Sequence, residues 1–339
     1  MDAVSVANVL TPGIQTRFVD MYRSTYATVE KELSAGCMDF APSSNGRYEI
    51  YAGFKSAPHA SRWPRGAKPS RKGFDSWTMT VVNHNWEVGV DALEDDVSDD
   101  RTSSLEGRAA DAGRNMARLP ERIFFQIEES VTNVKLLPAL PNAPDGAALF
   151  SATDGDSAAR FGVSGGNIIT GTGYATADQI QTDYASAIVR AQQFLDTEGQ
   201  PYYSASVDKA GVTIVCGVHL KFVMMKAFQQ QGNVVIIKNI AGTENVAAGA
   251  QTNPYLDDKS GAPVTVMLSP YKTTNDWSVW LHAAPVKPIF QQSRQAVRQT
   301  FLNRLNNDTC FQEKKFIWHN DSRAGYGINY PIGAIKVDN

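Results

Sequence analysis

The sequence predicts an α+β protein. Two stretches, 11–33 and 103–132, repeat apolar residues every three to four positions, as amphipathic helices do. Between them, 47–91 alternates in phase two, as a β-hairpin does. The second half adds short β-prone runs at 212–216, 234–237, 264–268 and 277–282. The 339 residues suggest about two domains, each able to bury its own core. The net charge of −3 lacks the basic excess of a protein that coats nucleic acid. No run of eighteen apolar residues predicts a membrane span, and the opening MDAVSVANVL does not read as a secretory signal.

Taken in order, Thr11 and Pro12 start the first helix, and Ile14, Phe18, Met21, Tyr22, Thr25, Val29 and Leu33 form its apolar stripe. Gly36 stops it, and Pro42 to Gly46 form a loop. The first hairpin arm alternates Tyr48, Ile50, Ala52 and Phe54 against Arg47, Glu49 and Tyr51. The return arm runs from about Ser76 to Asp91 through Trp77, Met79, Val81, Trp86, Val88 and Val90. A lone two-stranded hairpin is marginal in water, so this one needs a platform.

Its charges are segregated. Lys55, Arg62, Arg65, Lys68, Arg71 and Lys72 lie around the tip with Trp63 and no acid. Asp91, Glu94, Asp95, Asp96, Asp99 and Asp100 follow the return arm with no base. The basic tip has three readings: a solvated loop, a nucleic-acid contact with Trp63 as the stacking group, or an arm that docks on another subunit.

Ser103-x-x-Glu106 is a capping box for the 103–132 helix. Leu105, Ala109, Ala112, Met116, Leu119, Ile123, Ile127 and Val131 make its stripe, and Pro120 should kink it or begin a second helix. Pro138, Pro141 and Pro144 end it. Residues 146–173, with seven glycines, read as a long surface loop. Thr176-x-x-Gln179 caps a helix carrying Ile180, Tyr184, Ile188, Ala191 and Leu195. A helix is predicted at 219–231, a polar loop at 241–262, and strands near 310–319 and 325–337.

Motifs for chemistry are sparse. There is no nucleophile elbow and no phosphate loop. Asp154-Gly155-Asp156 lacks the remaining ligands of a calcium loop. Cys37, Cys216 and Cys310 are scattered and read as buried thiols, and the five histidines form no spaced pair. No catalytic residue, cofactor or metal is expected.

The order of several segments carries a resemblance. NHNWEVGVDALEDDVSDD is followed by AGRNMARLPERIFFQIEES and DGAALFSATDG, then by TIVCGVHLKFVMMKAF and VMLSPYKTTNDWSVWLHAAPVKPIFQQSR. This order resembles the Mu-like major head subunit family of tailed bacteriophages over nearly the whole chain. The resemblance implies the Hong-Kong-97-type capsid fold. It implies an N-terminal arm at 1–45, an extended hairpin (E-loop) at 46–97, and a peripheral domain with a spine helix at 98–165. An axial domain at 166–285 and return strands of the peripheral domain at 286–339 complete it.

The implied function is a major capsid protein that self-assembles as pentamers and hexamers into an icosahedral head. That head encloses double-stranded DNA without sequence-specific binding and is built in the bacterial cytoplasm. The implied partners are further copies of the chain, a separate scaffolding protein, a portal, decoration or cement proteins in some heads, and no membrane. The first helix begins too near the start for a long cleavable scaffolding region, so the scaffold is expected to be separate. The tip residues Lys55 to Lys72 would meet acids on a neighbour, with the Asp91–Asp100 patch as the candidate. A shell of the same fold around a cellular enzyme is an alternative. A carbohydrate-binding or hydrolytic protein using Trp277, Trp280 and His282 is another.

Overall fold

The computed structural model describes residues 3–40, 42–54, 62–63, 65–66, 68, 76–99, 104–196, 198–203, 207–228, 264–303 and 307–339. The chain divides into two units. The first comprises Met1–Ala52, Thr78–Asn142 and Ile289–Asn329; the second comprises Gly53–Trp77, Ala143–Pro288 and Tyr330–Asn339.

In the first unit, helix α1 (Ala3–Ser34) buries Ile14, Phe18, Val29 and Leu33 from the predicted stripe. It starts eight residues before the predicted Thr11, because Ala3 to Leu10 contains no glycine or proline to oppose a helix. Gly36 ends it at a φ of 105°, a left-handed conformation suited to glycine. The unit's sheet has the order β1-β9-β10-β4, with β1 (Met38–Asp39) parallel to β9 (Ile289–Leu302). β10 (Lys315–Ile328) runs antiparallel to both β9 and β4 (His84–Leu93). Ala92, Phe316 and Trp318 on this sheet pack with Ile14 of α1 and with Leu105 and Ala109 of α3 (Ser104–Ala117).

Helices α1 and α3 meet at a glycine. A Cβ on Gly113 would lie 2.5 Å from the carbonyl oxygen of Phe18, so only glycine allows this approach. The long helix breaks at Arg118, and α4 (Leu119–Glu128) begins with Pro120 in its first turn. This is the second-helix outcome of the Pro120 reading, since a first-turn proline has no intrahelical N–H bond to lose. Ser103 of the expected capping box lies outside the described residues.

Three predicted elements are redrawn. The return arm of the hairpin divides at Asn83: β3 (Ser76–Val82) pairs with β2 (Tyr48–Phe54), whereas β4 pairs with β10. The strand expected at 310–319 begins as α7 (Asp308–Glu313), because Asn307 caps it by accepting the Cys310 N–H at 3.2 Å. The strand expected at 325–337 is two strands: β10 ends at Ile328, and β11 (Ala334–Asp338) follows a turn at Pro331. β9 went unpredicted, because glutamine and arginine dilute its alternation; strands on both of its sides define it.

The second unit is built on a sheet of order β5-β11-β8-β6-β7. Its other strands are β5 (Ile168–Thr170), β6 (Val212–Gly217), β7 (Val264–Ser269) and β8 (Trp277–Leu281). Every residue of β6 and β8 is buried, as expected for central strands covered on both faces. Helices α5 (Ala177–Gln192) and α6 (Lys221–Phe228) contribute Ile180, Tyr184, Met224 and Phe228 to the core. Thr176 and Gln179 form the predicted capping box on α5. The 234–237 strand and the 241–262 loop lie outside the described residues.

The glycine-rich stretch is only in part the surface loop expected: Gly155 to Ala159 are exposed, but the stretch is anchored on both sides of them. Leu149, Phe150, Arg160, Phe161 and Asn167 are buried. The Arg160 guanidinium grips Asp145 through two bonds, Nε to Oδ2 at 2.7 Å and Nη2 to Oδ1 at 2.9 Å. Its Nη1 donates to the carbonyls of Ala148 and Leu149 at 2.8 and 2.9 Å. The Asn167 amide donates to the carbonyls of Leu149 and Ala334 and accepts from the Ser151 N–H. Gly166 permits the tight path, because a Cβ there would sit 2.2 Å from the Ser151 carbonyl oxygen. Asp154 Oδ1 accepts the N–H groups of Asp156 and Ala158 in a turn.

Arg160→Met strands the Asp145 carboxylate and several carbonyls. It is expected to cost about 3–5 kcal/mol of stability in urea denaturation. An Arg160→Met/Asp145→Leu pair should lose less than the sum of the two single changes.

Candidate assembly interface

The hairpin is fixed at its root by a polar cluster in the first unit. Glu49 Oε1 accepts from Ser44 Oγ at 2.9 Å, from Asn45 N at 2.8 Å and from Gly46 N at 2.9 Å. The Asn83 side-chain amide donates to Ser44 Oγ at 2.6 Å and to the Gly46 carbonyl at 2.8 Å. Its oxygen accepts from Gln292 Nε2 at 2.9 Å, and Gln292 Oε1 accepts from the Tyr51 hydroxyl at 2.7 Å. The Gly46 and Asn45 amides and the Ser44 hydroxyl hold the Glu49 carboxyl below the usual carboxylate range.

Beyond the root, Tyr48 and Ile50 are 55% and 64% exposed. Two large apolar groups on one side of a two-stranded ribbon want a covering surface. Further out, Gly53 faces the Trp77 indole, which a Cβ would meet at 2.5 Å. Arg62, Trp63, Arg65 and Lys68 are exposed. Lys55, Arg71 and Lys72 lie outside the described residues.

The acidic group is less uniform than its sequence. Asp91, Asp95 and Asp96 are exposed. Glu94 is buried, and its backbone N–H donates to the Lys314 carbonyl at 2.8 Å. Asp95 and Asp96 sit in the first turn of α2 (Glu94–Asp99), where the helix dipole favours them. Asp99 closes that helix, and Asp100 lies outside the described residues. Sequence reasoning missed Asp308 and Glu313. They are exposed on α7, at the same end of the sheet, where Lys315 pairs with Glu313 and stands opposite Leu93. Only the fold could bring them there, since they lie more than 200 positions from Asp91.

A third surface feature borders β4. An open cleft of about 760 Å³ runs beside His84–Val88, with Met116, Leu119, Arg122, Val134 and Lys135 opposite. Val134 is 88% exposed.

The reading of a sugar-binding or hydrolytic site fails on geometry. Trp277 and Trp280 are fully buried, so neither offers a face to a ligand. Half-buried His282 has its Nε2 2.9 Å from Thr213 Oγ1. The three cysteines are buried free thiols. Among the described residues, no cluster of three or more metal-ligating side chains exists, and no helix is long and apolar enough to cross a membrane.

Residues 250–337 match the family model described as Mu-like prophage major head subunit gpT. This is the family the segment order resembles. No curated protein matches the chain in sequence. Solved structures do match it in fold. The capsid of cyanophage P-SCSP1u aligns with a TM-score of 0.54 at 9% identity, covering 90% of this chain and 86% of that one. The mature capsid of bacteriophage PhiM1 gives 0.52 at 13% identity, covering 89% and 85%. The capsid of Myoviridae phage XM1 gives 0.52 at 10% identity, covering 90% of both chains. At such identities the likeness establishes the fold: this chain has the Hong-Kong-97-type fold of phage capsid proteins.

Lowering the pH through the depressed folded value of Glu49 protonates an acceptor of three hydrogen bonds. The root cluster is held above the ordinary carboxylate range and loosens as pH falls through that value. Amide exchange at Asn45 and Gly46 should therefore accelerate at low pH, and Glu49→Gln should show the fast behaviour already at pH 7.

Proposed function

We propose that this chain is the major capsid protein of a tailed bacteriophage, assembling as pentamers and hexamers into an icosahedral head around double-stranded DNA. The observation that carries the reading is a fold shared with phage capsids over about 90% of the chain. The Mu-like head-subunit match in the C-terminal quarter supports it independently. Its role is structural rather than enzymatic. Stability in such a shell comes from many repeated interfaces, each on the order of 1,200–2,000 Å².

On this reading, 46–97 is the arm that reaches over a neighbouring subunit, and the helices and four-stranded sheet of the first unit form the peripheral domain. The axial domain is the five-stranded sheet unit, which takes in 143–165 and β11 as well as the expected 166–285, and it meets its copies around five-fold and six-fold axes. The exposed Tyr48, Ile50 and Trp63 are then contact groups awaiting a second copy. The basic tip, Arg62, Arg65 and Lys68 with Lys55, Arg71 and Lys72, docks on the acidic segment Asp91 to Asp100 of a neighbour. Complementary charge of this kind selects partner and register more than it adds affinity. A separate scaffold guides assembly in the bacterial cytoplasm, and a portal occupies one vertex. The charge of −3 gives the DNA a container that does not hold it tightly.

Purified protein, alone and with its genomic neighbours, should give shells, capsomers or tubes by size-exclusion chromatography and negative-stain electron microscopy. Shells made in infected cells should protect double-stranded DNA from nuclease; protein cargo in its place would point to a nanocompartment. A monomer or dimer that persists beside its scaffold would overturn the reading. Arg65→Glu/Arg71→Glu should leave the subunit folded and cut shell yield at least tenfold. Unchanged assembly would remove the tip–acid contact.

A further inference from the structure

Residues 76–93 form almost one continuous strand that changes partners at Asn83. The side each residue faces follows from two hydrogen bonds. The Asn83 N–H donates to the Arg47 carbonyl, on the side of β2. The Glu94 N–H donates to the Lys314 carbonyl, on the side of β10. Sides alternate along a strand, and the β4–β10 register runs unbroken from His84 to Leu93. The even residues of β4 therefore bond to β10. The odd residues Asn85, Glu87, Gly89, Asp91 and Leu93 aim their N–H and C=O groups the other way, where no strand lies among the described residues.

Stable monomers blunt such an edge with proline, lysine, a bulge or a covering loop. β4 has no proline and no lysine, and its outward-bonding Asn85 and Glu87 are among the residues that line the cleft of about 760 Å³. Trp86, Met116, Leu119 and Val134 give the cleft an apolar lining, and Arg122 and Lys135 give it positive charge around its one carboxylate, Glu87.

β2 offers the matching piece. It is the outer strand of a ribbon too small to be stable alone, with Tyr48 and Ile50 exposed and Glu49 as its only charged side chain. Its own copy cannot use it here, because there it already pairs with β3. We propose that the outer edge of β4 accepts β2 of a second copy as an added strand. Backbone bonds to Asn85, Glu87 and Gly89 would supply the contact, with Tyr48 and Ile50, which share one face of β2, turned into the apolar cleft. This rests on the capsid reading and names the pairing that joins neighbours.

The test is a proline at an outward position. Glu87→Pro removes one outward N–H and no internal ladder bond, so the subunit should fold with a melting temperature within a few degrees of wild type. Glu87→Ala removes the same side chain and keeps the N–H. Shell yield should fall at least tenfold in Glu87→Pro and stay within twofold of wild type in Glu87→Ala. In wild-type shells, amide exchange at Asn85, Glu87 and Gly89 should be at least tenfold slower than in unassembled protein. Normal shells from Glu87→Pro, or unchanged exchange at these amides, would overturn the pairing and leave the capsid reading intact. Wild-type protein that forms no shells would overturn the capsid reading and the pairing with it.

Discussion

The exchange of partners at Asn83 is the constraint on which the first unit depends. One strand must pair with β2 on one side and with β10 on the other, and it can change sides only where its backbone is held. The Asn83 side chain does this by bonding Ser44, Gly46 and Gln292 together. Gln292 is fully buried, so an unmade bond there would cost about 1–3 kcal/mol. Gly325 completes the arrangement. A Cβ at that position would lie 2.8 Å from both Gln292 Nε2 and the Val82 carbonyl oxygen. A polar clamp suits this place better than an apolar one, since its directional bonds fix the angle at which the strand leaves the sheet.

Elements with strong local signals were legible in the sequence. The stripe of α1, the Pro120 break, the Thr176 capping box and the strands at 212–217 and 277–281 all follow from periodicity and end signals. What escaped was decided by partners far away in the chain. β9 is rich in glutamine and arginine and becomes a strand because β1 and β10 flank it. The glycine-rich stretch looked solvated because glycine and serine dominate it. Its burial depends on one arginine meeting one aspartate fifteen residues earlier, a pairing that no local pattern announces.

The candidate interface divides in the same way. Segregation of charge along the hairpin was plain from counting, and Arg62, Trp63, Arg65, Asp91, Asp95 and Asp96 are exposed. Glu94 could not be separated from its exposed neighbours by sequence, because its burial follows from the turn that bonds to Lys314. The open side of β4 was invisible for a different reason. Which backbone groups point outward depends on strand order, and strand order is a property of the assembled sheet.

The folded glycine-rich stretch also separates tolerant from intolerant positions within a few residues. Gly155 to Ala159 form the exposed end of a small turn, closed by a bridge between Thr153 and Ala159. Immediately beyond it, Arg160 to Asn167 carry the bonds that fasten the stretch. A foreign peptide spliced between Asp156 and Ser157 would ride on a closed stem and leave that fastening untouched. The same insertion a few residues later would pull it apart. The chain thus carries a ready attachment point for displayed epitopes or affinity tags, repeated once per subunit wherever the subunit is repeated.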